Sequence, residues 1–181
     1  MSRFALFTDV SVNPRRKIGV GGYLLLPVSF LSFEACDIEQ RDVSARIKIK
    51  RFAETSSTRL ELQTLLWAVD DSREELAVPA FESLQLYTDS QCIAGLLRRR
   101  AGLIESDFLA RRSGRPLSNA PLYRAYYEAF DQLGFQLTKV PGHSRACTHD
   151  TVRRIFSYVD REVRKALALW LASPDLHTSV N

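Results

Sequence analysis

The pattern of apolar and polar positions divides the chain into three strands, then alternating helices and strands. Residues 4–12, Phe-Ala-Leu-Phe-Thr-Asp-Val-Ser-Val, are rich in aromatic and β-branched side chains, which predicts a strand. Phe4, Leu6, Thr8, Val10 and Val12 fall on one face of it, and Ala5, Phe7, Asp9 and Ser11 on the other. Asn13-Pro14-Arg15-Arg16-Lys17 reads as a turn with a basic tip, and residues 18–26 as the return strand. Glycines 19, 21 and 22 within that strand mark a close backbone approach or a bend. Between 27 and 45 the pattern lapses, and an extended stretch over 33–38 is the one element it offers. Residues 46–52 alternate cleanly, as a third strand with one charged, solvated face.

The period then becomes helical. Leu62, Leu65, Leu66 and Val69 form one stripe behind Ser56-Ser57-Thr58, and residues 70–75 are polar. Residues 81–87 read as a short strand ending at Thr88-Asp89-Ser90-Gln91, with a helix following through Arg98. Arg98-Arg99-Arg100 and Arg111-Arg112-Ser113-Gly114-Arg115 bracket a basic, partly helical connector. A helix over 122–130 closes near Gly134. A last strand spans 135–140, and a polar loop follows Pro141-Gly142-His143. The final amphipathic helix is expected from about 157 to 172, with Val159, Val163, Ala166, Leu167 and Trp170 on its apolar side. One domain over 1–173 and a loose tail over 174–181 are expected.

Composition narrows the class. At 181 residues, 45% hydrophobic and 25% charged, the chain suits one globular core. A net charge of +4 and a pI near 9.1 favour a polyanionic partner. Cys36, Cys92 and Cys147 are odd in number and widely spaced. That argues against a disulfide framework and for a reducing, cytoplasmic setting. No apolar run is long enough to span a bilayer, and the first strand opens too early to leave room for a signal peptide.

Asp9 is the anomaly, because a carboxylate in an apolar strand is costly unless a partner or a metal compensates it. Other acids stand at telling places. They lie in Ser56-Ser57-Thr58-Arg59-Leu60-Glu61-Leu62, in Leu86-Tyr87-Thr88-Asp89-Ser90-Gln91, and in Val159-Asp160-Arg161 beyond Val140-Pro141-Gly142-His143. With Asp9-Val10-Ser11, these four segments in this order resemble the type 1 ribonuclease H family over residues 4 to about 172. The resemblance implies an α/β ribonuclease H-like fold. Its sheet would be mixed and five-stranded, with β1-β2-β3 antiparallel, β4 and β5 as parallel additions, and helices flanking. Asp9 would sit at its centre, Asp89 at the end of the neighbouring strand, Glu61 on the first helix and Asp160 at the start of the last.

Four converging carboxylates repel one another and call for cations. The resemblance implies two Mg²⁺ ions, with Mn²⁺ able to substitute, held by Asp9, Glu61, Asp89 and Asp160. It implies an endonuclease that cuts the RNA strand of an RNA–DNA hybrid duplex, acts as a monomer, and uses His143 in proton transfer or product release. Implied nucleic-acid contacts are Ser11, Asn13, Thr58, Arg59, Gln91, Arg98, Arg99, Arg111 and Arg112.

Alternatives stand beside these expectations. Val10 replaces a glycine of the family pattern, and Thr58 a common asparagine. Seventeen positions separate His143 from Asp160, so Asp150 is a rival fourth acid. Asp160 is preferred for the amphipathic helix expected around it. Glu61 could close a capping box with Thr58, Asp89 could cap the next helix, and Asp160 could simply favour a helix N-terminus. The arginine clusters could be a solvated face, and Phe108 and Tyr123 could pack in the core. His143, Cys147 and His149 lack a second ligand pair at zinc-site spacing. Two other functions compete. One is another nuclease of the same superfold, against which Ser11 stands where 3′–5′ exonucleases favour a second acid. The other is a catalytically inactive module that binds nucleic acid or protein.

Overall fold

A computed structural model describes residues 2–79, 81–141 and 150–173. The strands are β1 (Ser2–Asn13), β2 (Ile18–Pro27), β3 (Lys48–Phe52), β4 (Phe81–Thr88) and β5 (Gln136–Lys139). The helices are α1 (Gln40–Ser44), α2 (Ser57–Asp71), α3 (Arg73–Leu76), α4 (Gln91–Glu105), α5 (Ala120–Leu133) and α6 (Thr151–Ala172). The strands form one mixed sheet in the order β3-β2-β1-β4-β5. The pairs β1–β2 and β2–β3 are antiparallel, while β4 runs parallel to β1 and β5 parallel to β4. This is the expected five-stranded α/β arrangement, with β1 in the middle.

Alternation along β1 feeds two separate cores. Leu6 packs with Leu62 and Leu65 of α2, Leu96 of α4 and Tyr126 of α5. Ala5 and Phe7 pack on the opposite face with Ile155, Phe156 and Val159 of α6. There the Phe7 ring also stacks on Tyr87 at 4.7 Å. The sheet is thus covered by α2, α4 and α5 on one side and by α6 on the other.

The glycines of β2 set how close these helices come. A Cβ at Gly21 would lie 1.9 Å from Thr64 Oγ1, and one at Gly19 2.4 Å from Leu60 Cδ2, so α2 rests directly on the backbone. Gly22 faces the other way, where a Cβ would lie 2.5 Å from Val163 Cγ1 of α6. Gly22 pairs with Asp9 and Gly21 with Val10. The two helices therefore close on the sheet at the level of Asp9. Glu61 follows Leu60 on α2, and Asp160 lies one turn before Val163 on α6.

Several expectations are corrected. Residues 33–38 form no strand; 3₁₀ turns over Val28–Ser32 and Ala35–Asp37 and the short α1 fill the segment instead. Arg98–Arg100 lie within α4, which continues to Glu105, rather than opening a connector. The final helix begins at Thr151, six residues before the expected start. Its signal was present: Asp150 caps it, and Val152, Ile155, Phe156 and Val159 already keep the helical spacing. Phe108 and Tyr123 are buried in the core.

Gly21→Ala forces α2 away from the sheet. It is expected to cost about 1–3 kcal/mol in urea unfolding, and Thr64→Ala in the same chain should recover part of that loss as a non-additive coupling.

Candidate active site

Asp9 lies on the α6 face of β1 and is 7% exposed. Burial pushes its carboxyl from 3.8 up to about 8; the charges of Asp89 and Asp160 add to the rise, and a hydrogen bond with the Val10 backbone opposes it. Asp89 follows the last residue of β4. The parallel register that sets Phe7 beside Tyr87 brings residues 9 and 89 to the same level.

Glu61 reaches the same place from α2. Its Oε2 accepts a hydrogen bond from the Ser90 hydroxyl. Burial raises the Glu61 carboxyl, the Ser90 bond works against that rise, and the Asp89 charge adds to it. Ser90 also accepts from the Ile93 N–H at 3.1 Å as the cap of α4, and its own N–H donates to Thr88 Oγ1 at 3.2 Å. Two bland readings fall here. The cap of α4 is Ser90, not Asp89. Helix α2 begins after Ser56, which places Glu61 beyond the first turn and out of a capping box. Ser90 itself was missed in the sequence, where only its capping chemistry is visible.

Thr8, Asp9, Val10, Glu61, Thr88 and Asp89 line one pocket. Asp89 also lines a neighbouring one with Val140, Arg153, Ser157 and Asp160. Asp160 is half-buried, the tenth residue of α6, and its carboxylate pairs with Arg164 at 2.7 Å. It therefore gains nothing from the helix N-terminus, contrary to one expectation. Asp150 occupies that terminus. It accepts from the Arg153 N–H at 3.1 Å and pairs with the Arg153 guanidinium at 3.3 Å. Ten residues of helix put it about 15 Å from Asp160. Asp160 bears on the Asp9 carboxyl; Asp150 bears on the Tyr87 hydroxyl instead. His143, Cys147 and His149 lie outside the described residues.

The donor set is of carboxylate oxygens around an acid that burial, and then the charges of Asp89 and Asp160, keep protonated to about pH 8. Thr8, which lines the same pocket, has a buried hydroxyl with no hydrogen-bond partner among the described residues. That chemistry fits a hard divalent cation. Among the described residues, no group of three or more His, Cys, Asp or Glu side chains is gathered to hold a metal ion.

The expected nucleic-acid contacts spread outward from this point. Ser11 and Asn13 continue β1 past Asp9, and Asn13 Oδ1 accepts from the Arg16 N–H at 3.1 Å. Thr58 and Arg59 are half-buried in the first turn of α2. Gln91 is exposed and accepts from Lys139. Arg98 and Arg99 of α4 line an apolar-floored groove with Arg111, and Arg112 is exposed beside it. Arg100 is spent on a bidentate pair with Asp131 at 2.6 Å.

A family model for RNase H matches residues 1–155, ending five residues before Asp160. Among solved structures, LC9-RNase H1, described as a type 1 RNase H with the type 2 active-site motif, superposes with a TM-score of 0.63. It is 18% identical, and the match covers 92% of this chain and 72% of that one. The two share the fold. No curated protein matches the sequence.

The raised Asp9 carboxyl has a consequence for stability. Below about pH 4 it is protonated in both the folded and the unfolded chain. Between 3.8 and about 8 the unfolded chain has released the proton and the folded chain holds it. Metal-free stability therefore falls as pH rises through that window and levels off above it. Asp9→Asn is expected to unfold at a higher temperature than the parent at pH 8–9 in EDTA, by roughly 5–10 °C for a few kcal/mol. The gap should close toward pH 4. An equal gap at both ends of the range would contradict the assignment.

Proposed function

Because the chain belongs to the RNase H family, we propose that it is an endonuclease that hydrolyses the RNA strand of RNA–DNA hybrids. The observation that carries this reading is the pocket lined by Asp9, Glu61 and Asp89, with the Asp160 charge acting on Asp9. Asp9, Glu61, Asp89 and Asp160 would hold two divalent cations, Mg²⁺ with Mn²⁺ able to substitute. When bound, these supply charge neutralisation at the scissile phosphate and activation of the attacking water.

The chain's own groups prepare that chemistry. Burial of Asp9 keeps bulk water from its carboxyl, so a cation bound there would be screened little and would favour release of the Asp9 proton. Ser90 holds Glu61 in place from the end of β4. The Arg164 guanidinium neutralises Asp160, a role that a bound cation would otherwise supply. Ser11, Asn13, Thr58, Arg59 and Gln91 would meet the 2′-hydroxyl side of the duplex, and Arg98, Arg99, Arg111 and Arg112 would grip its phosphates. His143 is assigned proton transfer or product release. The exposed free thiol of Cys36 suits a monomer working in a reducing cytoplasm.

The Asp160–Arg164 pair favours one rival, a module with this fold that binds without cutting. Hydrolysis of a labelled hybrid in Mg²⁺ separates the two. Asp9→Asn and Asp89→Asn are each expected to lower the rate roughly a thousandfold, or ~4 kcal/mol. Unchanged rates in a clean preparation would sink the proposal. Calorimetry with Mn²⁺ gives a second view, since a binding-only module takes up no divalent ion through these acids.

For the basic groove, replacing Arg98, Arg111 and Arg112 with serine should weaken hybrid binding. The slope of log affinity against log salt should fall by about 2, at 0.7–0.9 per lost phosphate contact. The rate on saturating hybrid should stay near the parent value. An unchanged slope would remove these residues from the interface.

A further inference from the structure

The chain carries a net charge of +4, yet residues 27–46 hold four acids against two arginines. This segment links β2 to β3 through the two 3₁₀ turns and α1. Its apolar residues do not all turn inward. Ile38 and Val43 are buried in the core beside α6, while Phe33 is 56% exposed. The Phe33 ring meets Phe30 edge to face at 5.4 Å. Phe30, Phe33 and Ile38 line an open groove of about 470 Å³, and Asp37, Glu39, Asp42 and Arg46 line it with them. Arg41 is shared between Glu39 at 2.9 Å and Asp42 at 3.5 Å, with all three side chains largely in water. Such exposed pairs hold their partners weakly. Asp37 has no cation partner among the described residues.

The groove is held in shape from behind. The Thr151 hydroxyl donates to the Phe33 carbonyl at 2.8 Å, and the Tyr158 hydroxyl to the Ile38 carbonyl at 3.4 Å. The Arg161 guanidinium donates to the Gln40 side chain. All three donors belong to α6, so one long helix fixes a backbone that has no ladder of its own. A preformed surface spares a partner the cost of ordering it. One exposed aromatic is ordinary, but an apolar groove rimmed by charge marks an interaction site. The sign of that charge selects the partner. Carboxylates repel the phosphates of a nucleic acid or of an anionic lipid, and attract Lys and Arg. We propose that this groove docks a basic segment of a partner protein. An apolar side chain of that segment rests on Phe30, Phe33 and Ile38, and its flanking cations meet Asp37, Glu39 and Asp42. The inference uses none of the acids around Asp9 and stands apart from the nuclease reading.

The probe is a display library of random peptides, panned against the full chain and against Phe33→Ser. The parent is expected to enrich peptides that place Lys or Arg on both sides of an aromatic or aliphatic residue, and Phe33→Ser is not. A synthetic peptide from the enriched set is then titrated by fluorescence anisotropy. Phe33→Ser should weaken its binding about tenfold. Asp37→Asn with Asp42→Asn should weaken it too and flatten its dependence on salt. Where Phe33→Ser unfolds below the parent temperature, the double asparagine variant alone decides. The proposal is overturned if no peptide is enriched, if the enriched peptides are neutral or acidic, or if the variants bind as the parent does. Two further results overturn it by naming another occupant. A parent dimer in sedimentation that Phe33→Ser dissolves gives the groove to a second copy of this chain. A loss of RNA–DNA hybrid affinity in Phe33→Ser gives it to the duplex.

Discussion

A buried acid in the middle strand governs the rest of this structure. Asp9 sits on the middle strand of the sheet, 7% exposed, with Phe7 before it packed into one of the cores. Removing a carboxylate from water is costly, and here the nearby Asp89 and Asp160 raise that cost. Without a cation the protein answers with a proton, which is why the carboxyl moves to about 8. Its neighbours are quieted in other ways, Glu61 by the Ser90 hydroxyl and Asp160 by the Arg164 guanidinium. Each is an exchangeable substitute for positive charge at the centre.

Such a cluster needs helices close to the sheet, and that closeness comes from missing side chains. Gly19 and Gly21 leave room for Leu60 and Thr64 of α2, and Gly22 for Val163 of α6. Because Gly21 and Gly22 face opposite sides, one strand seats a helix on each face at the register of Asp9. Glu61 and Asp160 then follow from the sequence positions next to these contacts. A larger residue at any of the three glycines would displace the helix that carries one of the acids, so fold and site share the same constraint.

What was legible in the sequence follows the strength of periodicity. Strands β1, β2 and β4 and the stripe of α2 carry regular apolar spacing, and the elements so read carry or precede Asp9, Glu61 and Asp89, which line one pocket. Residues 28–44 carry no period because their two 3₁₀ turns and the five-residue α1 are too short to repeat one. Their few apolar anchors include Ile38 and Val43, which are buried among side chains distant in sequence. The first two turns of α6 were hidden differently. Thr151, Arg153 and Arg154 dilute the apolar stripe, although Asp150 announces the start as a cap. That error alone made the approach to Asp160 look like a long loop. Ser90 and Thr8 were invisible as parts of a site, because a hydroxyl shows its purpose only through what surrounds it.

At Asp9 local stability argues against the residue present, and that residue lines the pocket. Asparagine at 9 would remove a buried acid and so relieve a cost in the metal-free chain. Residues one step away behave differently. Leu6, Phe7, Leu84 and Leu86 are buried apolar side chains on well-paired strands, where local preference and packing agree. Along β1 the sharpest conflict between local preference and actual residue is thus at Asp9. A fold selected only for stability has no reason to bury that acid where Glu61 and Asp89 line the same pocket. A fold that must receive positive charge at that point does, because there the cost is relieved by the ligand.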